Sequence, residues 1–158
     1  MKIVLLVTAS VCLLATAFFA HAQDLPADKG KLQGTWKVVS VMYRPNVDTL
    51  FLGKLIKFDG ESMLTYDEAV RDDRLLSKGS ITVDATKTPK QIDIYGYPNG
   101  KKTAIPLLGI YAFDGDKLRL SWSGRDGKDR PLTFDRDPND KKSKQFSLIL
   151  ERIQEKKN

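Results

Sequence analysis

Leu108-Gly-Ile-Tyr-Ala-Phe113, Asp114-Gly115-Asp116 and Lys117-Leu-Arg-Leu-Ser-Trp122 follow one another without a break and have the pattern of two strands about a turn. β-Branched and aromatic residues on either side favour extended backbone, and the central Asp-Gly supplies the positive-φ position that a tight hairpin turn needs. Strands joined by so short a turn run antiparallel, so 108–122 is predicted to be a hairpin. The same pattern recurs outward. Asp59-Gly60 divides residues 54–59 from 62–66 as a second hairpin. Residues 77–83 alternate Gly79, Ile81 and Val83 with Ser80 and Thr82, and residues 91–97 alternate Ile92 and Ile94 with Asp93 and Tyr95. That period of two marks strands with one buried face. Between them, Asp84-Ala-Thr-Lys-Thr-Pro-Lys90 has the composition of a turn.

Gly34-Thr-Trp-Lys-Val-Val-Ser-Val-Met-Tyr-Arg44 opens the series as a strand ending before Pro45, and residues 145–153 close it. Asn99-Gly100 and Asp126-Gly127 add turns, and the charged run 67–74, with Asp67-Glu68 and Asp72-Asp73 flanked by Arg71 and Arg74, reads as an exposed loop. About eight short strands with local connections and no long helical period predict an all-β protein. The expected architecture is an antiparallel up-and-down β-barrel, with a sandwich as the alternative.

The N-terminus sets the compartment. Lys2, an apolar run from Ile3 to Ala20 and the small-x-small motif Ala20-His21-Ala22 follow the order of a cleavable signal peptide. Residues 1–22 are therefore expected to be removed and the protein to be secreted or periplasmic. Residues 23–158 are left as a single domain with no later membrane span. The only cysteine, Cys12, and the only histidine, His21, leave with the signal. The mature chain then has no disulfide, no Cys or Ser-His nucleophile, and no histidine or cysteine ligands for zinc, copper or haem. Asp135-Arg-Asp137-Pro-Asn139 begins like a calcium loop, but Asp140 stands where the glycine is needed and Phe146 where the bidentate glutamate is needed. No metal and no cofactor are expected. Paired carboxylates remain as a catalytic route, yet no pair can be assigned to a common cleft, and a non-enzymatic role is expected.

The formal charge of the chain is +6, falling to +5 when Lys2 is lost. Such a balance suits a polyanion, but acidic and basic residues are interspersed except in the tail at Lys141, Lys142, Lys144, Lys156 and Lys157, and no nucleic-acid partner is expected.

Four ordered blocks, Leu32-Gln-Gly-Thr-Trp-Lys-Val-Val-Ser40, Asp84-Ala-Thr-Lys-Thr-Pro-Lys-Gln-Ile-Asp93, 108–120 and Arg130-Pro-Leu-Thr-Phe134, resemble a family of uncharacterised small domains abundant in planctomycete bacteria. Gly34-Thr35-Trp36 is also similar to the Gly-x-Trp signature of lipocalins, with Arg152 matching the arginine that packs over that tryptophan. The likeness implies a barrel whose first and last strands are tied by a cation–π contact of about 0.5–2 kcal/mol.

If Trp36 points inward, alternation carries Val38, Ser40 and Met42 with it. Phe58, Tyr111, Phe113, Leu118, Leu120, Trp122, Phe146, Leu148 and Leu150 join from other strands. An eight-stranded barrel is just wide enough to be filled by such side chains or to hold one small molecule. The expected function is non-catalytic binding of a small, partly apolar molecule, with Trp36, Phe58, Tyr111, Phe113, Trp122 and Phe146 lining the pocket and Ser40 and Arg152 adding polar contacts. The alternative is a packed barrel serving as a structural or interaction module toward an envelope protein or polymer.

Overall fold

The computed structural model describes residues 24–42, 51–67, 74–97, 100–123, 129–135 and 145–154. The signal segment with its cleavage site, the basic tail, the acidic pairs of the 67–74 loop apart from Asp67, Asn99, the Asp126-Gly127 turn and residues 136–140 of the calcium-like segment lie outside them.

Eight strands follow one another: β1 (Gly34–Met42), β2 (Leu55–Asp59), β3 (Ser62–Asp67), β4 (Arg74–Asp84), β5 (Lys90–Gly96), β6 (Leu107–Asp114), β7 (Lys117–Trp122) and β8 (Phe146–Arg152). Each pairs antiparallel with the next, and β8 pairs with β1, so the sheet closes into an up-and-down barrel with no free edge. The 108–122 hairpin is present, in register from Gly109 opposite Trp122 to Asp114 opposite Lys117, with Gly115 at φ +62°.

One element departs from the all-strand expectation: helix α1 (Asp24–Leu32) precedes β1. Pro26 and Gly30 weaken any intrinsic helical tendency, so sequence pattern gave no sign of it. Tertiary contacts hold it in place. Asp28 and Leu32, four residues apart and hence on one face, are only 3% and 1% exposed.

The two ends of the barrel differ. At the α1 end the strands are joined by short turns at Gly60-Glu61, residues 85–89 and Gly115-Asp116; at the other end the connections are longer, reaching residues 123–145 between β7 and β8.

Cross-strand register assigns the inner face. Trp36, Val38, Ile56, Phe58, Ile92, Tyr111, Leu118, Leu120, Leu148 and Leu150 point inward and are at most 2% exposed. The expectation for β1 needs one correction. A bulge between Val38 and Ser40 shifts the register against β8, so that Val41, opposite Leu148, faces the core. One extra residue reverses the alternation, and Ser40 and Met42 lie on the outer face instead of with Trp36.

Candidate functional site

The residues expected to line a ligand pocket pack on each other. Toward the α1 end, Phe113 contacts both Trp36 and Tyr111, with ring centroids 6.3 and 6.0 Å apart. Phe58 is 1% exposed beside them. Toward the other end, Trp122 and Phe146 stack at 5.7 Å with an interplanar angle of 11°, and Phe51, which the sequence reading did not select, meets both edge-on at 5.9 Å. Aliphatic side chains of β1, β2, β4, β5, β7 and β8 join these aromatic groups in one buried cluster, with Met63 of β3 and Leu107 of β6 packed against it. A small crevice lies beside α1, lined by Leu32, Gln33, Gly60 and Val83 among others. Its volume of about 10 Å³ is at the lower limit for one water molecule.

Gly34, Trp36 and Arg152 converge where the barrel closes. Trp36 and Arg152 are cross-strand partners, and the guanidinium lies over the indole at 4.1 Å. Arg152 also donates to the main-chain carbonyls of Gln33, at 2.5 Å, and Lys31, while Trp36 Nε1 donates to the Leu32 carbonyl at 2.8 Å. Two side chains of the closing strands thus satisfy carbonyls that the end of α1 leaves open. Gly34 is required on two counts. Its φ is +104°, and a Cβ there would stand 2.9 Å from Arg152 Nη1.

A buried polar cluster fastens α1 to the same end. Asp28 Oδ2 accepts from Lys90 Nζ at 2.6 Å and from the Tyr111 hydroxyl at 3.1 Å. Burial, followed by the charge and hydrogen bond of Asp28, pushes the Tyr111 hydroxyl well above its ordinary pKa of 10. Neither Asp28 nor Lys90 was selected from sequence, because their meeting depends on α1 folding back across the barrel end.

Comparison of the chain with protein-family models, curated proteins and solved structures gave no match. What the molecule can do follows from its own geometry.

Among the described residues no three His, Cys, Asp or Glu side chains gather as a metal-binding group. Asp93, on the outer face, is taken by Arg130 at 2.6 Å. Arg130 also donates to the carbonyls of Ile92 and Gly109, so it pins residues 129–135 across the outside of the barrel. Ser121 and Ser147, 0% and 2% exposed, bond each other at 2.9 Å, and Ser147 donates to the Phe134 carbonyl at 2.7 Å. These buried hydroxyls are fully engaged in fixing that segment. No described helix is long and apolar enough to cross a membrane.

The outer face of β2–β5 is of another kind. Lys57 is opposite Leu64, Leu64 opposite Lys78, and the Tyr97 amide donates to the Lys78 carbonyl, so the four stand in one row across the sheet. In the adjoining row Tyr95 pairs with Ser80, with Lys102 Nζ 3.8 Å above the Tyr95 ring, and Tyr97 donates from its hydroxyl to Ser80 at 3.3 Å.

Proposed function

We propose that the protein is an exported, non-catalytic interaction module whose barrel is packed solid and whose contacts are made from its outer surface. The filled interior carries this reading. The aromatic side chains that a carrier would turn toward its ligand are spent on one another, and α1 is fastened across one end. A ligand pocket of ordinary size, roughly 300–1,000 Å³, would require several of these side chains to leave their positions. The closure by Gly34, Trp36 and Arg152 supports a lipocalin-like ancestry for the frame, and the packed interior speaks against the carrier role which that likeness first suggests. Export rests on the N-terminal segment.

Native mass spectrometry of protein isolated from its own host tests both parts. The expected spectrum is that of a polypeptide beginning at Gln23 with no retained small molecule. A stoichiometric apolar adduct would return the protein to the carrier class, and a full-length chain recovered from membranes would remove the export reading.

A further inference from the structure

We propose that the outer face of β2–β5 binds a linear anionic polysaccharide, with Lys57, Lys78 and Lys102 meeting its acidic groups and Tyr95 and Tyr97 presenting rings and hydroxyls to its sugars. This deepens the interaction-module reading and rests on it.

Charge complementarity identifies the occupant. Lys57 and Lys78 lie two strand spacings apart, about 10 Å, on one row of one face. Neither forms an ion pair among the described residues, whereas Lys54, Lys90 and Lys117 each hold a carboxylate within 3.0 Å. Lys102 lies over Tyr95, in the next row, with its amine held near the sheet by the ring face. Two acidic groups share the outer face nearby. Asp93 is held by Arg130, and Asp59 ends the row that runs through Ser62 and Ser80 to Tyr95, one row from Lys57 and Lys78, so that the lysines outnumber the carboxylates left open there. Cations repeated across a fixed sheet, with the aromatic rings of Tyr95 and Tyr97 beside them, suit a polymer with a regular charge repeat better than a single small anion. An exported protein meets acidic glycans rather than nucleic acid, which makes a polysaccharide the fitting polyanion.

Binding of polygalacturonate to the purified protein, followed by isothermal calorimetry at several salt concentrations with neutral dextran as reference, decides the matter. The wild type is expected to bind polygalacturonate and not dextran, with affinity falling as salt rises. The triple variant Lys57→Gln/Lys78→Gln/Lys102→Gln should lose about tenfold or more in affinity, and its salt slope should fall by roughly two to three. A control with the same loss of charge at the capped end, Lys29→Gln/Lys87→Gln/Lys117→Gln, should bind like the wild type. Circular dichroism before titration verifies that both variants are folded. Equal losses in the two variants would overturn the proposal by reducing the effect to net charge. Absence of binding at low salt would overturn it too, as would a preference for duplex DNA or anionic vesicles over the polysaccharide. Each of these results, with the barrel interior empty of ligand, leaves the interaction-module reading standing; a ligand inside the barrel would remove that reading separately.

Discussion

Trp36→Ala is expected to destabilise the protein by about 3–5 kcal/mol, a large part of the roughly 5–15 kcal/mol that holds a domain of this size together. Trp36 is 1% exposed and contacts Phe113 inside the barrel. It also donates to the Leu32 carbonyl and carries the Arg152 guanidinium on its ring. Truncation therefore leaves a cavity, opens a helix-end carbonyl and removes the ring beneath the Arg152 guanidinium at once. Arg152→Ala should cost less, because that side chain is exposed and its loss leaves the indole buried. The two losses should not add, since each substitution removes the same contact. A double-mutant cycle by urea unfolding measures the shared part, expected at roughly 0.5–2 kcal/mol. A coupling energy of zero would mean that the closing contact contributes nothing.

The second large effect is expected at the Asp28–Lys90 pair, and it should be lopsided. The Asp28 carboxylate is 4% exposed and the Lys90 side chain 37%. Lys90→Met strands a buried carboxylate with only the Tyr111 hydroxyl as partner, and should cost about 3 kcal/mol or more. Asp28→Asn leaves an ammonium that can turn to water, so about 1–2 kcal/mol is expected. The double variant should lose less than the sum of the two. Chemical unfolding of the three variants checks the order, and a larger loss for Asp28→Asn would reverse the assignment of which charge is trapped. Tyr111 adds a pH signature to the same cluster. Its hydroxyl ionises at higher pH when folded than when unfolded, so above pH 10 the unfolded chain releases that proton first. The Tyr111 contribution is thus fully present below pH 10 and is lost as pH rises beyond it, by at most about 1.4 kcal/mol per pH unit. Tyr111→Phe should flatten that part of the alkaline stability curve.

Much of the frame was legible in the sequence because each strand carries its own signal. Alternation at Ile92 and Ile94, the Asp-Gly turns and the β-branched run after Gly34 act within a few residues, where local physics decides. What escaped depends on pairing at long range. The bulge after Val38 carries no residue signature, yet it moved Ser40 out of the expected pocket and brought Val41 in. Helix α1 is stabilised by what it caps, and its own residues point elsewhere. Lys57, Lys78 and Lys102 look like dispersed surface charges along the chain and become neighbours only when β2, β3, β4 and β5 pair. Whether an eight-stranded barrel is hollow depends on how its side chains interdigitate, which composition alone does not fix.

Xenon reports whether the barrel interior is packed. Apolar cavities that stay dry take up xenon, whereas an interior filled by interlocking side chains does not. Crystals of protein isolated from its host, pressurised with xenon, should show no bound atom between the Trp36–Tyr111–Phe113 group and the Phe51–Trp122–Phe146 group. An ordered xenon among Val38, Ile94, Leu120 and Leu148 would contradict a filled barrel and restore an internal ligand as the reason this protein exists.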